Sequence, residues 1–361
     1  MDNRKHICIV AGARPNFVKV APLLRAIDKA EGAECRLIFA GREDDPTLES
    51  SLFDDLQMPR PDVFLGVDSQ RLNEITAQVM GKLDFYLEEH PTDVVIVVDD
   101  LASTMAAAIT AKKRGIKVAH LVAGTRSFDI SMPKEINRLV IDALSDYMFT
   151  AGVKSNSVAT REQHSETAQT YMVGNILMDT LRYNLPRFVK PDINVEDGQY
   201  LVFTLNRRVL LSDEPQLKQM LQTFTTDSGD MPIVAPLRGL ALGVVVRLLS
   251  ELGVSSSKFH VLASLPYLEF GWLTAHAAGI VTDSGNVAEE ATFNGVPCIT
   301  LNDYTEHQET VTVGTNVLVG GDTAKLSEAL QRLLRGEWKK AALPDRWDGR
   351  SAERIVQILL Q

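Results

Sequence analysis

Apolar positions along the chain follow two alternating spacings, which predict strands and helices in turn. Short runs such as HICIVAG and DVVIVVDD are typical of buried strands, because nearly every position is apolar and many are β-branched. Longer stretches such as FVKVAPLLRAIDKA repeat their apolar residues every three or four positions and predict amphipathic helices. This alternation predicts an α/β fold in which parallel sheets are covered by helices on both faces.

The alternation pauses once, over residues 182–199, where Pro186, Pro191 and Gly198 interrupt it. We therefore predict an N-terminal domain over 1–181, a connection over 182–199 and a C-terminal domain over 200–344. The final stretch, 345–361, is predicted to end in an apolar-faced helix with Ser351 as its N-cap. Two such domains are expected to enclose a cleft.

Length and composition narrow the possible functions. A chain of 361 residues fits two domains, and a net charge of −10 argues against a general nucleic-acid binder. The three cysteines and the histidines show no spacing typical of a metal site, so we expect no metal. Cys8 and Cys298 lie in apolar runs and are expected to be buried thiols, and the sparse cysteines fit a reducing compartment. No apolar run reaches the roughly 20 residues of a membrane span, and the N-terminus lacks a signal-peptide core, so a cytoplasmic location is expected.

The turns that follow strands are where ligands are expected, because open parallel sheets bind them beyond the carboxyl ends of their strands. In the turn IVAGARPNFVKV, Arg14 stands before a helix and Lys19 lies one turn into it. A helix N-terminus with an arginine favours an anion site. The alternative is that Arg14 belongs to an ordinary surface turn.

A second turn, IVTDSGNVAEE, carries Ser284, Gly285 and Asn286 between a strand and a helix. Their backbone N–H groups suit a phosphate, and Glu290 is placed to accept hydrogen bonds from ribose hydroxyls. The pattern by itself is more typical of an ordinary helix N-cap than of a nucleotide site.

A third turn, VVDDLAST, places Asp99 and Asp100 after a buried strand. Neighbouring strand residues point in opposite directions, so we expect one aspartate to face the cleft and the other to cap the next helix. His120 lies in an apolar run and is expected to be a hydrogen-bonded core residue. His307 lies in a polar loop, where a structural and a functional role are both open.

Several segments together resemble the non-hydrolysing UDP-N-acetylglucosamine 2-epimerases. They occur in the family's order and cover nearly the whole chain: AGARPNFVKVAPLLRAI, PTDVVIVVDDLASTMAAAITAKKRGIKVAH, MPKEINRLVIDALSDYMF, VGNILMDTL, TDSGNVAEEATFNGVPCITL, TVTVGTN and WDGRSAERIVQIL. The resemblance implies two Rossmann-like domains of the glycosyltransferase-B type, the second binding the nucleotide, with the last helix crossing back to the first. It also implies a cytoplasmic homodimer that interconverts UDP-GlcNAc and UDP-ManNAc by eliminating and re-adding UDP, without a cofactor.

The resemblance also assigns residues to the site. Asp100, Glu135 and Arg138 occupy positions expected to take part in catalysis. The positions expected to bind the UDP-sugar are Arg14, Lys19, Arg42, Asn206, Arg207, Arg238, Phe270, Ser284, Gly285, Asn286, Glu290 and His307.

The chain departs from the family at positions that handle protons. Val122 and Lys134 stand where the family has glutamates, and Asn206 stands where it has a histidine. Valine and asparagine do not titrate, and loss of a positioned acid or base typically lowers a rate by about 10²–10⁴-fold. Further departures at substrate-binding positions are Arg42, Arg238, Asn286 and His307.

We therefore expect a UDP-sugar-binding protein whose epimerase activity is impaired or lost. One alternative is an active epimerase with replacement groups: Asp100 or Glu135 as the base, and Lys134 or Arg42 on the diphosphate. A second alternative is a non-catalytic subunit that pairs with an active relative.

Overall fold

The computed structural model describes residues 4–163 and 165–361. The chain forms two compact units: unit 1 comprises Met1–Tyr183 and Asp345–Gln361, and unit 2 comprises Asn184–Pro344. Within the described residues, no helix is long and apolar enough to cross a membrane.

Unit 1 is built on a parallel sheet of seven strands. They are β1 (Lys5–Ala11), β2 (Ala33–Phe39), β3 (Val63–Phe64), β4 (Val94–Val98), β5 (Lys117–Leu121), β6 (Tyr147–Thr150) and β7 (Gln169–Met172). Their order across the sheet is β3-β2-β1-β4-β5-β6-β7. β4 is buried at all five positions, as its unbroken Val/Ile sequence predicts for a strand covered on both faces.

Eight helices accompany this sheet in the described part of the chain. They are α1 (Arg14–Asp28), α2 (Ser50–Leu56), α3 (Leu72–Glu89), α4 (Ala102–Lys113), α5 (Pro133–Leu144), α6 (Val153–Arg161), α7 (Leu177–Asn184) and, near the C-terminus, α15 (Ser351–Leu359). α4 buries Ala106, Ala107, Ala108 and Ala111 against the strands and neighbouring helices. These small side chains bring the helix backbone close to the sheet.

Unit 2 is built on a six-stranded parallel sheet in the order β10-β9-β8-β11-β12-β13, where the strands are β8 (Leu201–Thr204), β9 (Ile233–Pro236), β10 (Phe259–Leu262), β11 (Gly279–Thr282), β12 (Cys298–Thr300) and β13 (Asn316–Leu318). Its helices are α8 (Arg208–Ser212), α9 (Glu214–Asp227), α10 (Gly239–Glu251), α11 (Tyr267–Ala275), α12 (Gly285–Asn294), α13 (Glu309–Thr312) and α14 (Thr323–Leu334), preceded by a 3₁₀ turn (Leu185–Arg187). Apolar side chains from both faces of the sheet form its core.

Both parallel sheets confirm the predicted α/β fold class with two Rossmann-like parts. The segment 182–199 makes hydrogen bonds of its own and to unit 2: Lys190 Nζ donates to the Val195 carbonyl at 2.8 Å, and the Val189 N–H donates to the Leu268 carbonyl. Most of the segment therefore belongs to unit 2.

The C-terminal segment returns to unit 1 and is fixed there by buried contacts. Trp347 is buried completely, and its Nε1 donates to the Ala151 carbonyl at 2.9 Å. Gly174 has a φ of 98°, and a Cβ there would lie 2.0 Å from the Arg346 carbonyl oxygen. Asp179 accepts from the first two N–H groups of α15 at 3.0 and 2.8 Å. The predicted N-cap was wrong by one residue, since it is Arg350.

Candidate functional site

Each sheet reverses its strand order between two particular strands. In unit 1 the chain moves outward from β1 through β2 and β3, then resumes at β4 on the other side of β1. In unit 2 the same reversal falls between β8 and β11. At such a reversal, the loops that follow the two neighbouring strands run to opposite faces of the sheet. A crevice therefore opens beyond the carboxyl ends of these two strands. Each unit therefore has one expected binding position.

Asp99, directly after β4, connects the two turns at this position in unit 1. Its φ is 60°, and its carboxylate accepts hydrogen bonds from Lys19 Nζ at 2.6 Å and Asn16 Nδ2 at 2.8 Å. Asn16 Oδ1 accepts in turn from the N–H of Gly12, after β1, at 2.9 Å. The expectation that an aspartate caps α4 was wrong, because the N-cap is Leu101.

Asp100 is buried between two cations. Arg138 donates to its Oδ2 through Nε at 2.8 Å, with a second guanidinium nitrogen 2.6 Å away, and Lys134 Nζ lies 3.3 Å from Oδ1. Burial raises the pKa of the Asp100 carboxyl, but the charges and hydrogen bonds of Lys134 and Arg138 outweigh it and leave the pKa below its usual value. Asp100 is thus a stabilised carboxylate and a weak base.

Glu135 is also engaged on both carboxylate oxygens. It accepts from the Ser127 N–H at 2.8 Å, the Ser127 hydroxyl at 2.9 Å and the Phe128 N–H at 3.2 Å. Arg138 donates to the same carboxylate at 3.2 Å. Burial raises the pKa of Glu135, but these hydrogen bonds and the charge of Arg138 outweigh it, so that the net shift is downward. Glu135 therefore holds the loop before α5 in place.

Helix α5 has its polar face turned inward. Glu135, Arg138 and Asp142 are buried at spacings of three and four residues, while Ile136 and Leu139 on the other face are 44% and 38% exposed. The spacing of the charged residues was visible in the sequence as one helical stripe. Asp142 was not predicted as a site residue, because its partners lie on a strand and a loop that are distant from it in the sequence.

Asp142 organises a buried network beneath the same loop. Its carboxylate accepts from the Gly124 N–H at 3.1 Å and pairs with Arg126 at 2.7 Å and with His120 Nδ1. The other ring nitrogen of His120 lies 3.0 Å from the Asp99 carbonyl oxygen. Burial raises the pKa of Asp142, but His120 and Arg126 lower it overall. His120 is thus hydrogen-bonded through both ring nitrogens and supports the turn that carries Asp99.

Val122 occupies the left-handed region of backbone conformation, with a φ of 73°. A β-branched residue is strained there, and the conformation is kept by contacts of its backbone. The Val122 N–H donates to the Phe149 carbonyl at 3.1 Å, and its carbonyl accepts from the Thr125 hydroxyl at 3.2 Å. The loop therefore keeps a strained geometry around a side chain that cannot transfer a proton.

In unit 2, Asp283 connects the turns after β8 and β11. Its Oδ2 accepts from the N–H groups of Asn206 at 2.8 Å and Arg207 at 2.6 Å. Its own carbonyl accepts from Asn302 Nδ2 at 3.0 Å. Asp283 was not predicted, because this side chain binds backbone N–H groups and no sequence motif marks such a residue.

Ser284 is the N-cap of α12, and its hydroxyl accepts from the Val287 N–H at 3.5 Å. The capping alternative for this motif is thus confirmed. This cap is compatible with the other interpretation, in which backbone N–H groups at the start of α12 bind a phosphate. Gly285 and Asn286 are the first two residues of the helix.

Glu290 lies on the next turn of α12 and is 7% exposed. Burial, followed by the charge of neighbouring Glu289, raises the pKa of Glu290 to about 8. The imidazole of His307 lies beside Glu289, with Nε2 3.6 Å from Glu289 Oε1. At neutral pH, Glu290 is therefore a largely protonated carboxyl next to the helix N-terminus.

The other residues predicted to bind the UDP-sugar lie at strand ends or on helices. Arg14 is the first residue of α1 and half-buried, and Arg238 is the exposed N-cap of α10. Phe270 on α11 packs against the core of unit 2. The Arg207 guanidinium lies 5.7 Å from the centre of the Tyr304 ring.

Arg42, after β2, is held by two carboxylates. Its Nε donates to Asp44 at 2.7 Å, and another guanidinium nitrogen donates to Asp68 at 2.9 Å. The hydrogen bond from Arg42 lowers the pKa of Asp44. The guanidinium thus already has anionic partners.

Metal ligands are not clustered in either unit as far as the chain is described: no group of three or more His, Cys, Asp or Glu side chains has a suitable arrangement. The three cysteines, Cys8, Cys35 and Cys298, are free thiols.

Comparison with known proteins identifies the family. The family model for UDP-N-acetylglucosamine 2-epimerase matches residues 25–360, so the chain belongs to this family. It is 32% identical to the UDP-N-acetylglucosamine 2-epimerase of Methanocaldococcus jannaschii, over 98% of both chains. It is 31% identical to the UDP-2,3-diacetamido-2,3-dideoxy-D-glucuronate 2-epimerase of Pseudomonas aeruginosa, over 91% of this chain and 92% of the relative.

A solved structure of the M. jannaschii UDP-GlcNAc 2-epimerase in complex with UDP-GlcNAc and UDP has the same fold. The TM-score is 0.85 at 33% identity, over 98% of this chain and 99% of that one. The resemblance inferred from sequence motifs is therefore confirmed.

Proposed function

We propose that this protein binds a UDP-sugar and epimerises it much more slowly than a member of the family with the full set of acid and base groups. Unit 2 would bind the nucleotide, with the diphosphate at the N-terminus of α12 and the ribose at Glu290. Unit 1 would bind the sugar near Lys19 and Asp100. Membership of the family and the UDP-GlcNAc complex of the M. jannaschii relative support this proposal.

The chemistry of 2-epimerisation explains the expected loss of rate. Breaking the C2–H bond requires a base, and the electron pair left behind forms a C1–C2 double bond as the C1–O bond breaks and UDP leaves. Re-addition of UDP with protonation at C2 from the opposite face completes the reaction. A base with a pKa near the working pH is the most effective.

The observation that carries the proposal is the environment of Asp100. Lys134 and Arg138 occupy both of its oxygens and lower its pKa, and Glu135 is occupied by backbone and hydroxyl donors. Val122 and Asn206 add no titratable group. A proton at C2 therefore has no well-matched acceptor among these residues.

Exchange of the C2 proton with solvent tests the proposal directly. The protein is incubated with UDP-GlcNAc in D₂O, and C2 deuteration and UDP-ManNAc are followed by NMR, while calorimetry measures UDP binding. We expect UDP to bind and exchange to be slower than in a full-set relative by about 10²-fold or more. Exchange at the relative's rate would refute the loss of activity, and absence of UDP binding would refute the binding function.

Restoring charge at position 134 gives a sharper version of this test. In Lys134→Glu, a like charge replaces the cation beside Asp100, so the pKa of Asp100 should rise and exchange should accelerate by roughly tenfold. Combining it with Val122→Glu and Asn206→His should accelerate exchange further. Lys154→Glu, on α6, is a control for the same change of charge. If the triple variant leaves the rate unchanged, the assigned groups are wrong.

We further propose that the protein is a homodimer in the cytoplasm. The exposed apolar side chains on and before α5 support a self-association surface: Phe128, Ile130, Ile136 and Leu139. Light scattering combined with gel filtration measures the mass directly. A monomer at micromolar concentration would refute the dimer.

A further inference from the structure

A pocket in unit 1 lies at the opposite edge of the sheet from the candidate site of that unit. The strands β1, β2 and β4 are parallel, and the candidate site lies beyond their carboxyl ends. The pocket lies at their amino ends, between β1, β2 and the segment that joins α3 to β4. Its volume is about 180 Å³. We call it the Tyr86 pocket, and its lining includes His6, Cys8, Arg36, Tyr86, His90 and Thr92.

We propose that the Tyr86 pocket binds a small aromatic carboxylate, with the ring inside the pocket and the carboxylate on Arg36. The pocket would be a ligand site of its own, separate from the nucleotide-sugar site of the proposed function. The inference therefore does not depend on whether a UDP-sugar is bound or converted.

The volume of the pocket suits a single ring. An engineered cavity of about 150 Å³ in another protein holds one benzene molecule. The Tyr86 pocket, at about 180 Å³, has room for such a ring with one small substituent. A nucleotide sugar is too large, since sites for ligands of that kind usually enclose about 300–1,000 Å³. Size thus restricts the ligand to a small monocyclic molecule.

The walls of the pocket are largely apolar and include two aromatic rings. The rings of Tyr86 and His90 lie nearly parallel, with 4.1 Å between their centroids and 9° between their planes. Aromatic rings favour stacked or edge-to-face contacts with other rings. Cys8 adds to the apolar wall, because burial raises the pKa of its thiol and keeps it uncharged. A planar aromatic group therefore fits these walls better than a strongly hydrated one.

Arg36 and Tyr86 supply donors for a carboxylate. The guanidinium of Arg36 carries five N–H groups, and one of its nitrogens donates to Glu34 at 3.3 Å. Glu34 is also paired with Arg4 at 3.2 Å, so two cations share its charge. The Arg36 side chain is 55% exposed, so its other N–H groups can reach a ligand without displacing Glu34. Burial raises the pKa of Tyr86 to about 12, so its hydroxyl keeps its proton at neutral pH and can also donate.

Three simple ligands separate the contributions of the ring and the charge. Benzoate has both, benzamide has the ring without the charge, and acetate has the charge without the ring. Titrations of the full-length protein followed by saturation-transfer NMR give each Kd. We expect benzoate to bind with a Kd on the order of 1 mM, as suits a ligand of this size. Benzamide should bind about fivefold more weakly, as expected for one partly exposed ion pair, and acetate at least about tenfold more weakly.

Replacement of the cation tests the assignment of the carboxylate. Arg36→Gln should bring the Kd values of benzoate and benzamide within about twofold, because glutamine keeps a polar side chain without the charge. Arg114→Gln is the matched control, since Arg114 also pairs with a carboxylate of unit 1, Asp84 at 2.6 Å, but lies outside the pocket. It should keep the fivefold preference. A preference that survives in Arg36→Gln refutes the role of Arg36.

Competition with UDP tests the location. Saturating UDP should leave the Kd of benzoate unchanged, because the nucleotide is proposed to bind unit 2 and the pocket belongs to unit 1. Displacement of benzoate by UDP would place it in the nucleotide site and refute the inference. So would equal binding of benzamide and benzoate, or the absence of saturable benzoate binding up to about 20 mM. If UDP does not bind at all, the proposed function fails, while the three ligands still decide whether the Tyr86 pocket is a site.

Discussion

Replacing Glu290 with glutamine should stabilise unit 2 at neutral pH and have little effect under acidic conditions. Glu290 is 7% exposed on α12, and burial with the nearby charge of Glu289 raises its pKa from 4.5 to about 8. Glutamine has nearly the same shape and no charge. The substitution therefore removes the titration and changes the packing little.

The sign of the effect follows from the raised pKa. A carboxyl group whose pKa is higher in the folded protein than in the unfolded chain stabilises the fold through its bound proton. This contribution is fully present below the unfolded-state pKa and is lost as the pH rises to the folded-state pKa. For Glu290 this window runs from pH 4.5 to about 8. At pH 7 the folded protein must take up a proton that the unfolded chain lacks, which costs about 3 kcal/mol. Glu290→Gln should recover up to this amount.

Urea unfolding at about pH 4.5 and pH 7 measures the difference. The fluorescence of Trp272 and Trp338 reports on unit 2, while Trp347 reports on unit 1. We expect a gain of about 2–3 kcal/mol at pH 7 and almost none at the lower pH. Glu289→Gln is the comparison variant and should give a smaller gain, because it relieves only the part of the Glu290 shift that comes from the Glu289 charge and removes the carboxylate 3.6 Å from His307. An equal effect at both pH values would refute the titration of Glu290.

Three further predictions concern other residues. If the ribose hydroxyls donate hydrogen bonds to a Glu290 carboxylate, UDP binding near pH 7 should release a proton from Glu290. The calorimetric binding enthalpy should then change with the ionisation enthalpy of the buffer. A buffer-independent enthalpy would contradict this. Val122→Asn should raise the free energy of unfolding by about 1 kcal/mol, because asparagine tolerates a φ of 73° better than valine; a lower urea midpoint would show that packing of the valine matters more. Asp142→Asn should lower the free energy of unfolding by about 3 kcal/mol, because it removes the carboxylate shared by the buried guanidinium of Arg126 and the His120 ring; a loss below about 1 kcal/mol would show that this network contributes little to stability.

The fold could be predicted from the chain because the signals for strands and helices agree in most segments. β4 illustrates this, since an unbroken apolar run has few alternatives to a central parallel strand. Helix α10 (Gly239–Glu251) was not predicted, because its sequence contains two glycines and the β-branched run Val244–Val246. Its burial against β-strands of unit 2 outweighs these weak local preferences.

The candidate site was predicted less completely. Residues in family motifs, such as Asp100, Arg138 and Ser284, could be found by position, although their partners could not. Asp283 escaped prediction because it binds backbone N–H groups, and hydrogen bonds to backbone leave no spacing pattern in the sequence. The pairing of Asp100 with Lys134 depends on a contact between a turn and a helix more than 30 residues away.

Because Asp345–Gln361 belongs to unit 1, unit 2 is in effect an insertion within it. During synthesis, all residues of unit 2 leave the ribosome before the last segment of unit 1 does. Unit 2 can therefore complete its folding first, whereas unit 1 must wait with the surface for Trp347 and α15 uncovered. A premature stop codon near the end of the mRNA would thus leave unit 1 incomplete, although most of unit 1 is synthesised before unit 2.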